Sequence, residues 1–344
     1  GGFLPDAYAR ELESLQDAVP PQPWDVMAKA FEDSLGKPPS AVFERIDHTP
    51  LAAASLGQVH IAYSATGEKY AVKVLYPGIR DVVRVDLRVV NLGLRLYRMF
   101  VPVQNISAVY DALVDLLKRE TDYVHEAACM TRMAKNFESE PDILFPEVIA
   151  SASSGEVLTM TFMEGIKITR FDEYERLGID RNAVAERLVK CFYRQLFLDR
   201  FFHADPHPGN FLVQAGATPE TPKIVILDFG AISETPQHVI DGMVDVLRGI
   251  FEQNDTLVLS GIETLGFVAP DGDRQLLEQT VKTYFAKLLK IKDITAGALM
   301  RANAKELEAL ANPEVARREL RALMKSVRYP DDWFYVERAA VMSF

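Results

Sequence analysis

The residues best able to do chemistry cluster in His203-Ala204-Asp205-Pro206-His207-Pro208-Gly209-Asn210. Eighteen residues after Asn210, an apolar run ends in Asp228-Phe229-Gly230. Carboxylate and amide oxygens are hard ligands and suit Mg2+, which keeps part of its shell for phosphate oxygens and water. A carboxylate outside that shell can orient an attacking hydroxyl or accept its proton. This set points to phosphoryl transfer, with Asp205 as the catalytic carboxylate and Asn210 and Asp228 as metal ligands. Each motif alone reads only as a polar turn, and the specificity lies in the two occurring in order. A zinc site is the rival, because His203, Asp205 and His207 are three possible ligands close together. Zinc enzymes draw further ligands from elsewhere, and His48, His60, His125 and His238 form no second cluster.

Phosphate charge also calls for a lysine. Asp205 and Asn210 have the spacing of a kinase catalytic loop, and the kinase lysine sits in a strand. Lys73 in Tyr70-Ala71-Val72-Lys73-Val74 fits that position. Its carboxylate partner is expected on the following helices, with Glu126 first and Glu120 as the alternative. The frame of a kinase glycine loop, G-x-G-x-x-G-x-V, falls on Ala52-Ala53-Ala54-Ser55-Leu56-Gly57-Gln58-Val59. The last glycine and the valine are in register, while alanine stands at the first two glycine positions. Alanine disfavours the left-handed backbone that glycine tolerates. The segment is therefore expected to take another shape, a helix-like turn running into Ser55 and Leu56, and still to contact nucleotide through Ala52, Ala53, Ala54, Ser55 and Val59.

These residues must be held by a mixture of strands and helices. Val59–Tyr63 and Tyr70–Val74 flank Ala65-Thr66-Gly67-Glu68 and predict a hairpin. Residues 80–138 read as helical, with Ile106, Val109, Tyr110, Leu113, Leu116 and Leu117 at helical spacing. Strand-like runs follow at Phe145–Ala150 and Val157–Met163, then a helix over Arg181–Asp199. Two short strands at Phe211–Val213 and Lys223–Leu227 come next, and helices after Pro236. Before all of these, Pro20-Pro21-Gln22-Pro23 separates a first helical segment from a second at Trp24–Leu35. The order predicts an α+β, bilobal, protein-kinase-like fold. Residues 1–40 would be a helical extension, 41–163 a small sheet-bearing lobe with inserted helices, and 164–344 a mainly helical lobe.

Composition narrows the function classes. The 344 residues are 48% hydrophobic, enough for a large core, and the net charge of -11 disfavours a general nucleic-acid binder. Two cysteines, Cys129 and Cys191, give neither a zinc-type spacing nor a disulfide framework. There is no apolar run of the length that spans a bilayer.

The motifs carry a resemblance to the UbiB/AarF/ADCK family of atypical kinases. An alanine-rich loop ending in Ser55-Leu56-Gly57-Gln58-Val59-His60, followed by Ala71-Val72-Lys73-Val74, resembles that family more than ordinary protein kinases. Glu120-Thr121-Asp122 resembles its E-x-D motif, which implies a regulatory role for Glu120 and Asp122. His203–Asn210 is similar to its catalytic loop, and Leu15-Gln16-Asp17 with Val19-Pro20-Pro21 to its N-terminal extension. The likeness covers nearly the whole chain, from about Phe3. The family's K-x-G-Q motif is missing; it would precede Leu4, with Gly1-Gly2 as its remnant, and the C-terminal continuation reads as cut short.

The resemblance implies ATP or ADP with Mg2+ as ligands. It implies a hinge at Leu158–Gly165, with Met160 as gatekeeper and the backbones of Thr161 and Met163 meeting adenine. It also implies an accessory role in isoprenoid-quinone (ubiquinone) biosynthesis or lipid homeostasis, with quinone-biosynthesis proteins or prenyl-lipid intermediates as partners. The setting expected from it is cytoplasmic or peripheral at an inner membrane, or organellar in a eukaryote. Three classes remain open: an ATPase or small-molecule kinase, a protein kinase, and a pseudokinase scaffold. The intact Lys73, Asp205, Asn210 and Asp228 disfavour the last. No Ala-Pro-Glu follows Asp228-Phe229-Gly230 to build a peptide platform, which disfavours the second.

Overall fold

The computed structural model describes residues 20–53, 56–100 and 106–266. Helix α1 (Trp24–Leu35) opens this part and closes on Gly36, whose φ of 71° lets its N–H reach back to Glu32. The first sheet follows: β1 (Arg45–Ile46), β2 (Ala52–Ala53), β3 (Gly57–Tyr63), β4 (Lys69–Leu75) and, later in the chain, β6 (Val157–Thr161). Its order is β1-β3-β4-β6, with β2 also on β3, and every pairing is antiparallel. The predicted hairpin is present as β3 and β4.

Side chains alternate across a strand. On β4, Val72 and Val74 therefore turn inward onto Met27 and Phe31 of α1, with Phe43, Ala62 and Val157. Lys73, between them, is placed on the opposite face. At the open end of this hairpin the backbones come close: a Cβ on Gly57 would lie 2.4 Å from the Val74 carbonyl oxygen. Glycine is needed there for close approach and not for an unusual φ.

Three helices come between β4 and the next strand: α2 (Ile79–Phe100), α3 (Ile106–Glu120) and α4 (Tyr123–Asn136). Then come β5 (Ile143–Leu144), β6, β7 (Ile166–Lys167), α5 (Phe171–Leu177) and α6 (Arg181–Tyr193). A π-helical turn at Arg194–Asp199 continues α6, so the predicted helix exists but changes its winding, and Arg200 ends it with φ 53°. Next are β8 (Phe201–His203), β9 (Phe211–Gln214), β10 (Lys223–Ile226), β11 (Ile232–Glu234), α7 (Gln237–Phe251) and α8 (Asp255–Thr264). A second sheet has the order β5-β10-β9-β7, and β8 pairs with β11.

The described residues form two compact units. One comprises residues 20–192 and 203–232 and holds both sheets; the other comprises 193–202 and 233–266. In the second unit α7 and α8 approach through small residues. A Cβ on Gly261 would lie 2.6 Å from the Gly242 carbonyl oxygen.

Two sequence expectations need correction. Phe145–Ala150 is not a strand: β5 stops at Leu144, and residues 150–152 form a 3-10 turn. Pro146 has no N–H for a ladder, and Val148 keeps only an isolated bridge to Met160. Nor do Ala52 and Ala53 begin a helix-like turn. They are extended and pair with Val59 and Gln58, and neither has a positive φ. The alanines thus replace glycine conformations with ordinary strand. Ala54 and Ser55 lie outside the described residues, as do the segment before Pro20 and the expected helices after residue 266.

Candidate active site

The site is assembled within the first unit. Lys73 donates from Nζ to Glu126 Oε1 at 2.5 Å and to Asp228 Oδ2 at 3.1 Å. Glu126 is thus the lysine's helix partner, as expected first. Its side chain is 3% exposed, that of Lys73 16%, and that of Asp228 36%, so the cluster opens to solvent on the Asp228 side. Burial works against charge on all three. Burial alone would lower the Lys73 pKa, but Asp228 and Glu126 outweigh it and hold the ammonium well above its usual value. Burial also opposes the Asp228 carboxylate, yet Lys73 and the Gly230 N–H keep it below the usual range. The deeper Glu126 is pushed up by burial, with Lys73 pulling the other way.

The local sequence explains how each group is held. Asp122 is the N-cap of α4 and accepts from the Val124 and His125 N–H groups at 3.1 and 3.3 Å. It therefore fixes the start of the helix that delivers Glu126 one turn later. Arg80 holds the same corner: its Nε and Nη2 donate to the Thr121 carbonyl at 2.9 and 2.7 Å, and Nη2 also donates to Gly155 O at 2.7 Å. Phe229 is fully buried beside Phe145, with ring centroids 6.0 Å apart, and its N–H donates to Glu126 Oε1 at 3.4 Å. The Gly230 N–H donates to Asp228 Oδ1 at 3.0 Å. Glu126 therefore ties the lysine strand to the Asp228-Phe229-Gly230 turn.

The catalytic-loop candidates stand on the stretch between β8 and β9. Asp205 is exposed and its N–H donates to Nδ1 of the buried His203 at 3.2 Å. Asn210 Nδ2 lies 3.5 Å from the Asp205 carbonyl, and Asn210 O accepts from Leu227 N at 3.0 Å, next to Asp228. The loop is thereby fastened to the end of β10. His203 supports the backbone of this loop. Among the described residues no group of three His, Cys, Asp or Glu side chains is placed to hold a metal ion, so the zinc reading gains no ligand set. Two oxygen donors, Asp228 held as a carboxylate and Asn210, instead fit an ion that takes its remaining ligands from phosphate and water.

Glu120, the alternative lysine partner, makes no such bond but belongs to the same place. Its Oε2 would be 3.5 Å from a Cβ built on Gly230, as would Asp228 Oδ1. Burial, followed by the charge of Asp228, raises its pKa to about 7. In the sheet, Ala52, Val59, Lys73 and Leu158 are successive cross-strand neighbours in one row. At the expected hinge Met160 is buried. The Thr161 N–H donates to Glu147 O at 2.9 Å, so that donor is already engaged. Met163 follows the end of β6.

Sequence reasoning missed Gln58 and His60. His60 Nδ1 lies 2.8 Å from the Asp47 carbonyl, so that nitrogen is the donor and Nε2 is left as the acceptor for Gln58 Nε2 at 2.8 Å. The Gln58 amide also bonds both backbone groups of Gln22, at 3.0 and 3.3 Å. Two polar residues alternating with Val59 and Ile61 on a buried strand were the available signal.

A lysine-strand, helix-glutamate and Asp-Phe-Gly arrangement of this kind defines a kinase-like protein. The chain belongs to the ABC1 atypical kinase-like domain family, whose model matches residues 14–260. It is 31% identical over 283 residues to the chloroplastic protein ACTIVITY OF BC1 COMPLEX KINASE 8 of Arabidopsis thaliana, covering 81% of this chain and 37% of that one. It is 33% identical over 308 residues to a probable protein kinase UbiB of Marinobacter nauticus, covering 86% and 55%. The chain thus spans about half or less of these relatives. Among solved structures, Rv3197 of Mycobacterium tuberculosis, determined as a complex with erythromycin, matches with a TM-score of 0.62 and 25% identity over 85% of this chain and 77% of that one. Among the described residues no helix is long and apolar enough to cross a membrane.

Proposed function

We propose that this chain is a Mg2+-dependent ATPase or phosphotransferase of the UbiB type, acting on a small or lipid-linked substrate in preference to protein. The observation that carries the reading is the double engagement of Lys73 by Glu126 and Asp228. A lysine held between a buried carboxylate and a half-open one is positioned to meet phosphate oxygens when Asp228 turns to a cation. In this reading Asp228 and Asn210 hold Mg2+, which would neutralise phosphate charge and orient the polyphosphate. Asp205, exposed on the tethered loop, orients the attacking hydroxyl or water. The row Ala52, Val59, Lys73 forms the floor beneath the nucleotide, and adenine lies against the hinge. Because the Thr161 N–H is engaged by Glu147, the contact there falls to carbonyl oxygen and to Met163. Ala54 and Ser55 remain candidate phosphate contacts from the sequence. Glu120 and Asp122 tune the site, the first by its charge beside Asp228 and the second by capping α4.

The physiological role proposed is support of isoprenoid-quinone biosynthesis or lipid homeostasis, with quinone-biosynthesis proteins or prenyl-lipid intermediates as partners. Peripheral contact with a bacterial-type inner membrane, or an organellar one, fits that role, and a chloroplastic relative supports the second. Phosphate release is the test, with ATP and Mg2+ alone, with added lipid and with added protein. Release stimulated by prenyl-lipid or quinone-like additives is expected; transfer to protein alone would favour the protein-kinase reading, and no release a scaffold.

A further inference from the structure

Helix α2 carries two apolar stripes, and only one of them is packed among the described residues. Leu87 is buried, Val83 and Leu94 are half-buried, and the Tyr110 hydroxyl of α3 donates to Leu87 O at 3.2 Å. Elsewhere on the helix, Val82, Val85, Val89, Leu92 and Leu96 are between 52% and 64% exposed. Their spacing is three, four, three and four residues. That is the a/d repeat of a coiled-coil seam, with Val82, Val89 and Leu96 at a-type positions and Val85 and Leu92 at d-type ones. A helix that lies on lipid has a broad apolar face with Trp, Phe and Leu. This seam is narrow, lacks aromatic residues and is mostly valine, so it fits the grooves of another helix better than a lipid surface.

The flanking charges select the partner and its direction. Asp81 and Asp86 lie in the N-terminal half of the seam and Arg88 and Arg95 in the C-terminal half, all exposed. Asp81 has a local bond to Arg84 at 2.6 Å, and both side chains remain largely in water. Two copies of α2 side by side and parallel would bring Asp81 of each against Asp86 of the other. Antiparallel copies bring Asp81 of each toward Arg95 of the other, two opposite-charge pairs against a single Arg88–Arg88 contact at the two-fold axis, and also oppose the helix dipoles.

We propose that the outer seam of α2 is a self-association surface, on which two copies of this chain pair antiparallel about a two-fold axis. The contact is isologous, as most small homo-oligomers are. It is short, about 21 Å from Val82 to Leu96 at the helical rise, so the dimer is weak and concentration-dependent. The inference is independent of the catalytic reading.

Sedimentation velocity of the full chain tests it, over roughly 1 to 200 µM, a range bracketing a micromolar association. Wild type should move from monomer to dimer. Leu92→Glu and Val89→Glu should remain monomeric with unchanged far-UV circular dichroism, since both sites are exposed. Asp81→Lys and Arg95→Glu should each weaken dimerisation about tenfold or more, and an equimolar mixture of the two should restore it, because both ion pairs re-form in the mixed dimer. A wild-type monomer throughout, or a dimer that survives Leu92→Glu, overturns the proposal. Failure of the mixture to recover overturns the antiparallel pairing. A monomer whose binding to anionic vesicles is abolished by Leu92→Glu would replace the second copy with a lipid surface.

Discussion

Replacing Glu120 by glutamine should stabilise the nucleotide-free protein above neutral pH and change it little near pH 5. In the folded chain the Glu120 carboxyl keeps its proton up to about pH 7, against an ordinary value of 4.5. Between those values the folded state binds a proton that the unfolded state has released, so stability falls as pH rises and the loss is complete above about pH 7. Each pKa unit corresponds to about 1.4 kcal/mol, so a rise from 4.5 to about 7 sets an upper limit of about 3.5 kcal/mol. Glu120 is partly exposed and its neighbours titrate with it, so about 1–2 kcal/mol is the expected size. Glutamine keeps the shape and removes the charge beside Asp228. Thermal unfolding of wild type and Glu120→Gln at pH 5 and pH 8, without nucleotide, reads the effect. A gain of a few degrees at pH 8 is expected for a chain of this size. An equal difference at both pH values, or a loss at pH 8, would refute the argument.

Three further outcomes are expected, two from the same geometry and the third, at Ala54, from the sequence alone. Lys73→Met leaves Glu126 buried without its cation and should cost about 3 kcal/mol at pH 8. The cost should shrink as pH falls and Glu126 takes a proton, and adding Glu126→Gln should recover much of it, as read by urea unfolding. Gln58→Leu removes the bonds to Gln22 and His60 and should cost about 1–2 kcal/mol, again by urea unfolding. Ala54→Gly should raise ATP affinity relative to ADP by up to about tenfold, near 1.4 kcal/mol; an unchanged ratio in calorimetry would mean that the alanine only fills space.

Local patterns made much of this site readable in advance. Asp205, Asn210 and Asp228 carry a spacing, and Lys73 lies in a strand whose alternation separates it from Val72 and Val74. Glu126 was harder, because a helical glutamate gives no local sign of burial; it emerged because a lysine in such a strand needs a carboxylate. What could not be read were relations set by tertiary contact. The role of Asp122 as the cap of the Glu126 helix depends on where α3 stops. The Gln58 clasp depends on Gln22, which reaches β3 only in the folded chain. Ala52 and Ala53 were misread because a left-handed loop was the reference, whereas cross-strand pairing with Gln58 and Val59 decided their backbone.

Asp228 and Asn210 are proposed to hold Mg2+ against a nucleotide anchored by Lys73. Thermal-shift titration of the full chain with ATP, with and without Mg2+, tests it most directly on wild type and Asp228→Asn. Wild type should be stabilised by ATP far more strongly with Mg2+ than without it, and Asp228→Asn should lose the magnesium-dependent part while remaining folded. A magnesium dependence that is unchanged in Asp228→Asn would mean that Asp228 is not a ligand of the ion.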